Sequence, residues 1–315
     1  MGASLFMRIS EMKKFVLKFL LFAVFMVLVD TICGVVLPLL QSHAKGGRTR
    51  TNYYLSNKCD ADILVLGSSR ATHHYLPKIL DSLGGIAYNA GNDGMGVILG
   101  YGRYLMCTEK HVPKIIIHDI ASFDYEKDDN SKYLKYLRPY GDGPKIRNII
   151  SQIGESFINL KMLSNMYRSS SSIIPNIRDL FVDEKTDNRG YLPLYKKCKN
   201  CDNFPSEKGT SMLKLDSIKL KIFDSFVKET ARQGSTLYFA ISPKFSTEKT
   251  EQSPRYAYGE KLAEKYNVPL LNHLFTPGIS DNPAFFADKT HLNDSGATAY
   301  SKLIVDEIRK MENFR

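Results

Sequence analysis

The stretch Ile63-Leu64-Val65-Leu66-Gly67-Ser68-Ser69-Arg70 decides the fold. Its first four residues form a short apolar run that stops at a glycine, a pattern typical of a buried parallel strand. Four further short apolar runs follow it, at residues 86–88, 115–117, 236–241 and 268–271. Segments with helical character separate them. This alternation predicts an α/β fold, a three-layer sandwich around a mostly parallel five-stranded sheet.

The predicted helices lie at about 76–83, 95–109, 212–232, 252–266 and 293–312. The alternation breaks between residues 125 and 211, a polar stretch that is too long for a simple loop. We interpret it as an insertion, partly helical around 146–167, that could cap the site. In open α/β sheets the ligand site lies beyond the carboxyl ends of the strands, so candidate functional residues are sought there.

The N-terminal region has the composition of a membrane anchor. Residues 15–41 are almost wholly apolar, and about 20 such residues suffice to cross a bilayer. Lys13 and Lys14 precede the span, which predicts that residues 1–14 form a cytoplasmic tail. The expected order is then a linker at 42–58 and a folded domain at 59–315 on the extracytoplasmic side, periplasmic or extracellular. Basic residues at 45–50 act against this orientation.

A cleaved signal peptide is the alternative to an uncleaved anchor. Ser42-His43-Ala44 offers a small-x-small cleavage site, but the apolar run exceeds the 7–15 residues usual for a signal peptide. Asp30 stands inside the predicted span, where a carboxylate facing lipid is costly. We therefore expect Asp30 to lie near an interface or to meet a partner helix.

Charge and cysteine content limit the classes of partner. The net charge of +10 suits anionic partners, or is a dispersed excess with no partner at all. No nucleic-acid-binding module is visible, so we expect no nucleic acid and instead a lipid bilayer, contacted through residues 15–41.

Cys198-Lys-Asn-Cys201 lacks the second half of a zinc site, so a local disulfide or two free thiols is expected rather than a metal.

Three short motifs carry the candidate chemistry, and each is weak alone. Ser69 follows the first strand, where its hydroxyl could face the cleft beside the N–H groups that begin a helix. Residues 89–94, Asn-Ala-Gly-Asn-Asp-Gly, follow the second strand and could bring backbone close to a ligand. Asp288 and His291, three residues apart, could form a carboxylate–imidazole pair. A capped turn, a glycine turn and a surface ion pair are the corresponding structural explanations.

Their order along the chain resembles that of the SGNH/GDSL hydrolases. Gly67-Ser68-Ser69 is similar to the family's Gly-Asp-Ser, with Ser68 in place of the Asp, which implies Ser69 as nucleophile. The second motif implies Gly94 as an oxyanion donor together with the N–H of Ser69. The final DxxH implies Asp288 and His291 as the remaining catalytic residues. The resemblance covers about residues 60–121 and 235–313 and implies an SGNH/flavodoxin-like fold.

The chain departs from the family at the third motif. The family usually has Gly-x-Asn-Asp after the third strand, whereas this chain has Ala121-Ser122-Phe123-Asp124, so Phe123 replaces the Asn that donates to the oxyanion. Losing one such donor typically costs about 10²–10³ in rate. Ser122, Asn92 or a residue of the insertion could replace it; otherwise the enzyme is weak or inactive.

The resemblance implies a serine esterase acting on an extracytoplasmic, carbohydrate-linked or other ester, with no cofactor and no metal. Two other functions stay open: an O-acyltransferase of cell-envelope polysaccharide, and an inactive relative that binds a glycan or an envelope partner. For the polar residues near the motifs, we expect His73-His74 on a helix surface and His118-Asp119 in a structural role. Arg70 would either bind a substrate anion or be solvated.

Overall fold

The computed structural model describes residues 2–43, 47–181, 188–199, 213–246 and 254–313. It confirms the predicted fold class: five parallel strands form one sheet in the order β2-β1-β3-β4-β5. The strands are β1 (Ile63–Gly67), β2 (Ala87–Asn89), β3 (Ile115–Asp119), β4 (Thr236–Ile241) and β5 (Leu270–Asn272). Each lies within two residues of its predicted position.

The described residues also form thirteen α-helices. They are α1 (Gly2–Ser42), α2 (Gly47–Asn57), α3 (Ser69–His74), α4 (Pro77–Leu80), α5 (Val97–Thr108), α6 (Leu134–Leu137), α7 (Pro144–Ile153), α8 (Ile158–Lys161), α9 (Asn165–Ser169), α10 (Ile173–Leu180), α11 (Ser217–Gln233), α12 (Pro254–Tyr266) and α13 (Asp294–Asn313). Helices α6 to α10 all fall between β3 and α11, within the predicted insertion.

The sheet has a hydrophobic core on each face. Along β1, Leu64 and Leu66 point to one face and Ile63 and Val65 to the other, as the two-residue period of a strand requires. The first face packs against α2, α5, α7 and α11, and the second against α3, α4 and α13. Because both faces are covered, every residue of β1, β2 and β3 is buried, which explains their continuous apolar runs.

The strand register brings the motif-bearing ends together. Gly67 at the end of β1 pairs with Asp119 at the end of β3, and Val65 pairs with Asn89 at the end of β2. Gly67 has a φ of 136°, and a side chain there would place its Cβ 2.6 Å from the Asp119 carbonyl oxygen. A glycine is therefore needed where β1 turns into α3 beside β3.

Helix α1 carries the predicted anchor. Within the described residues it is the one helix long and apolar enough to cross a membrane; the candidate span is Glu11–Ser42, in which an 18-residue window has a mean hydropathy of 2.7. The segment 42–58, predicted as a linker, instead contains α2. Leu55 of α2 is fully buried, and Thr49 Oγ1 donates to Asn176 Oδ1 at 3.1 Å. The segment therefore packs as part of the domain.

The cysteines pair in a way that the spacing did not suggest. Cys59, just after α2, is disulfide-bonded to Cys107 at the end of α5. This bond ties α2 to the helix layer of the sandwich. Cys198 is also disulfide-bonded, whereas its CxxC neighbour Cys201 lies outside the described residues. Cys33 of α1 is free.

Candidate active site

Residues from the two ends of the domain sequence meet at the carboxyl edge of the sheet. Ser69 is the first residue of α3, and the Asp288–His291 loop precedes α13, which packs against α3. The Ser69 hydroxyl donates to His291 Nε2 at 2.8 Å. His291 Nδ1 donates to the Asp288 carboxylate, with oxygen distances of 3.0 and 3.1 Å. The three predicted catalytic residues thus form one hydrogen-bonded chain.

The Asp288 carboxylate is held as an anion by its own loop. Besides the His291 ring, its Oδ1 accepts the backbone N–H groups of Thr290 at 2.9 Å and His291 at 3.0 Å. Burial of the carboxyl group opposes ionisation, but the hydrogen bonds from His291 and Thr290 outweigh it and hold the pKa of Asp288 well below its usual range. A charged Asp288 fixes the tautomer in which Nε2 of His291 is free to accept a proton.

His74 supports the same loop from behind, which corrects the predicted helix-surface position of His73-His74. His74 is fully buried; its Nε2 accepts the N–H of Leu292 at 2.9 Å, and its Nδ1 donates to Ser242 Oγ at 3.0 Å. Burial, followed by the nearby positive charge of Arg70, lowers the pKa of His74 well below 6.5. A neutral His74 is the form that can accept from Leu292.

His73 is buried too and lies beside the His291 ring, with ring centroids 5.5 Å apart. Its Nδ1 contacts the Leu192 carbonyl at 2.7 Å and its Nε2 the Asp93 carboxylate at 3.4 Å. Burial lowers the pKa of His73, but the contacts with Asp93 and Leu192 outweigh it and raise the pKa overall. His73 therefore joins the second motif to the segment around Leu192.

Arg70 is not solvated, and its guanidinium is engaged by protein groups. Its side chain is buried below the site, where it forms an ion pair with Asp119 at 3.1 Å. The guanidinium also donates to the carbonyl oxygens of Ile120 at 2.6 Å and Ser242 at 3.1 Å. Tyr75 donates to the other Asp119 oxygen at 2.7 Å. These contacts join the ends of β3 and β4 to the helix that carries Ser69.

The second-motif loop is held by Arg103, which belongs to none of the three sequence motifs. Arg103 of α5 is fully buried and donates to the carbonyl oxygens of Ala90 at 2.8 Å and Gly91 at 3.0 Å. It also reaches the Asn92 side chain at 3.2 Å. Because Asn92 is engaged by Arg103, its amide is held against the loop. Gly94 has a φ of 68°, a conformation that favours glycine.

The third-motif position is occupied by a ring and a nearby cation. Phe123 lies in a short turn of 3₁₀ helix after β3, and the Lys132 ammonium is 5.0 Å from its ring centroid. Lys132 Nζ donates to the Gly94 carbonyl at 3.0 Å and to Asp128 at 2.7 Å. Lys132 belongs to the insertion, so the insertion brings a positive charge to the loop that contains Gly94. Its position 38 residues from Gly94 leaves no local sequence signal.

His118 and Asp119 lie in the buried third strand. His118 Nε2 contacts Asp124 Oδ1 at 2.9 Å, and the other Asp124 oxygen accepts the N–H of Ala121 at 2.7 Å. These contacts shape the turn that contains Phe123. Among the described residues, no group of three or more His, Cys, Asp or Glu side chains is placed to hold a metal ion.

Comparison with known proteins gives distant structural likenesses. No protein-family model matches the chain, and no curated protein matches it. A solved structure provisionally assigned as an acylhydrolase of Bacteroides fragilis NCTC 9343 is 13% identical, with a TM-score of 0.37 over 83% of this chain and 94% of that one. An acetyl xylan esterase is 11% identical, with a TM-score of 0.39 over 79% of this chain and 98% of that one.

Proposed function

We propose that this protein is a serine esterase of the SGNH type, in which Ser69, His291 and Asp288 form the catalytic triad. The observation that carries the proposal is the continuous hydrogen-bonded chain from the Ser69 hydroxyl through the His291 ring to the Asp288 carboxylate. A surface ion pair or a helix cap would not require the serine hydroxyl to lie 2.8 Å from the imidazole. This arrangement activates a serine for attack on a carbonyl.

In the proposed reaction, Ser69 Oγ bonds to the ester carbonyl carbon while His291 Nε2 accepts the hydroxyl proton. The tetrahedral intermediate then breaks its bond to the leaving alkoxide, which takes that proton from His291. Water attacks the acyl-enzyme, His291 accepts the water proton, and its return to Ser69 Oγ releases the carboxylic acid. Asp288 stabilises the His291 imidazolium in both halves of the reaction.

The oxyanion would be held by the N–H groups of Ser69 and Gly94. The Ser69 N–H belongs to the first turn of α3, where backbone N–H groups have no partner within the helix. We assign the role of the missing third-motif Asn to Lys132, because its ammonium lies over Phe123 and already contacts the Gly94 loop. A cation beside this loop stabilises the negative charge that develops there.

Hydrolysis is favoured over acyl transfer because the pair that activates the nucleophile is open to water. The side chains of His291 and Asp288 are 24% and 41% exposed. Acyl transfer with the same residues would need water to be kept from the acyl-enzyme. The third alternative, an inactive glycan-binding relative, would have no need for the assembled hydrogen-bonded chain.

We further propose that residues 15–41 anchor the enzyme and that the catalytic domain, residues 59–315 together with the packed helix α2, faces an extracytoplasmic compartment. The length and apolarity of α1 support the anchor. The Cys59–Cys107 disulfide supports an oxidising compartment, where such bonds persist. The natural substrate would then be an ester of that compartment, carbohydrate-linked in our proposal.

The test is acetyl-ester hydrolysis by the full chain in detergent, compared with its Ser69→Ala variant. We expect the hydrolysis rate of the variant to be lower than that of the wild type by at least about 10⁴-fold. Ser225→Ala is the matched control, since Ser225 lies on α11 and bonds to the Lys221 carbonyl of its own helix. Equal rates for the wild type and Ser69→Ala would overturn the proposal.

A further inference from the structure

One stretch of α1 is apolar on one side and packed against the domain on the other. The packed side follows helical spacing and includes Asp30, Gly34, Leu37 and Gln41. The opposite side exposes four aliphatic side chains, each between 44 and 60% exposed: Ile32, Val35, Val36 and Leu39. If this stretch lay in water, those aliphatic side chains would be exposed to it.

The domain residues that meet this stretch come from the insertion. The Asp30 carboxylate accepts hydrogen bonds from Ser164 Oγ at 2.6 Å and from the N–H groups of Asn165 and Met166 at 3.0 and 2.9 Å. These N–H groups begin α9, so Asp30 caps α9 from another helix. A side chain at Gly34 would place its Cβ 2.9 Å from Asn165 Cγ, which shows how closely the two helices approach.

The contact with Asp30 places α9 deep along the apolar helix. Asp30 precedes Ser42, the last residue of α1, by twelve residues, or roughly 18 Å of helix. Asp30 also lies within the candidate span Glu11–Ser42. If the span crosses the bilayer, the insertion around α9 lies at the membrane surface or within the hydrocarbon region. The partner that Asp30 finds there also removes the cost of a carboxylate facing lipid.

The insertion has the surface that such a position requires. Five large apolar side chains between 65 and 82% exposed lie just before and just after α9: Phe157, Leu160, Leu163, Ile174 and Phe181. We call these five the apolar patch. A cluster of large exposed apolar side chains on one segment marks a membrane or protein contact. Helices α9 and α10 both pack against α1, so the segments that carry the patch lie beside α1.

We propose that the insertion is seated in the bilayer beside α1, so that the apolar patch enters the membrane and the domain is attached to it at two places. The proposal rests on the proposed anchor and adds a second membrane contact to it. It commits to lipid, because the helices of the insertion pack against α1, whose composition already suits the hydrocarbon core.

The chain contains no tryptophan, so single introduced tryptophans report on their own positions. We would reconstitute three full-length variants into phosphatidylcholine–phosphatidylglycerol vesicles with acyl chains that carry bromine, which quenches tryptophan by contact. Leu163→Trp tests the patch. Phe25→Trp, on exposed α1, tests the anchor. Tyr195→Trp is the matched control, because Tyr195 is 78% exposed and its segment bonds to the opposite helix layer through Leu194 and Asp294.

The expected result is quenching of Leu163→Trp and Phe25→Trp by at least about twofold relative to Tyr195→Trp. Quenching of Phe25→Trp with none of Leu163→Trp would overturn the patch proposal and leave the anchor intact. Quenching of neither would overturn both. A blue-shifted Leu163→Trp emission without quenching would assign the patch to a protein partner, which also overturns it. Leu160→Trp repeats the test should Leu163→Trp not fold.

Discussion

The carboxyl edge of the sheet and the insertion beside α1 are built in opposite ways. At the sheet edge, buried polar groups such as Arg70, His74 and Arg103 are each joined to several partners. In the insertion, large apolar side chains such as Phe157 and Leu163 stand exposed. A network of satisfied buried polar groups fixes a geometry, which chemistry needs. An exposed apolar surface does not hold side chains in a defined geometry, and it is stabilised by contact with a partner.

Removing the charge of Asp288 should have the largest effect on the chemistry at the carboxyl edge of the sheet. Asp288→Asn keeps the shape of the residue but favours the wrong tautomer of His291, so we expect kcat to fall by about 10⁴-fold. Thermal unfolding should change little, since the Thr290 and His291 N–H groups can still bond to the amide oxygen. Ester hydrolysis beside a melting curve checks this. A fall of less than tenfold would remove Asp288 from the mechanism.

Lys132 links the two regions, and its replacement tests whether the insertion contributes to chemistry. Lys132→Met should lower kcat by about 10²-fold with KM little changed, since the charge would act on the transition state. Lys132→Arg should recover part of the rate. The matched control is Lys135→Met, because Lys135 lies on α6 in the same insertion. Equal kcat values for Lys132→Met and Lys135→Met would assign Lys132 a structural role.

His74 makes the stability of the folded protein depend on pH. Its pKa is lowered in the folded state, so below about pH 6.5 the unfolded chain binds a proton that the folded chain does not. Stability should therefore fall as the pH falls, by up to about 1.4 kcal/mol per pH unit from this group. His74→Gln keeps an acceptor for Leu292 but cannot titrate. We expect its unfolding free energy to vary less between pH 7 and pH 5 than that of the wild type; parallel curves would contradict this account.

The smallest expected effect lies at the contact between α1 and the insertion. Asp30→Ala removes the oxygens that cap α9, and losing a cap costs about 1 kcal/mol. Amide hydrogen exchange of residues 164–169 should then quicken by about fivefold in vesicles, while the segment 288–292 should be unaffected. Thr31→Ala is the control, since Thr31 is on α1 and bonds to Val27 of its own helix. Equal exchange in both variants would show that Asp30 does not hold α9.

The sequence predicts the carboxyl edge of the sheet better than it predicts the insertion, for a physical reason. Strands β1 to β4 are continuous apolar runs, and parallel strands align their ends, so Ser69, Asn89 and Asp119 could be placed at one edge from local patterns. Arg103 and Lys132 act on the Gly94 loop from distant elements and leave no local signal. The contact of Asp30 with Ser164 spans 134 residues, and no periodicity in either segment indicates it.

The segment 42–58 and the pair His73-His74 differ from expectation for the same reason, contacts between residues that are distant in sequence. The segment 42–58 resembles a linker by composition because α2 is polar, yet Leu55 is buried and Cys59 is bonded to Cys107. No ligand partner is evident near His73 and His74 in the sequence, which favours a helix-surface position for both. They are buried because α13 and the segment around Leu192 cover them, contacts that only the folded chain provides.

The central claim is that Ser69 is a nucleophile, and covalent labelling tests it most directly. The full chain, treated with a fluorophosphonate and digested, should yield one adduct by mass spectrometry, on Ser69. Labelling should persist in Ser68→Ala, because Ser68 is the neighbouring serine with its side chain buried. It should be lost in Ser69→Ala and greatly slowed in His291→Ala. An adduct on another residue, or none on a folded chain, would contradict the account.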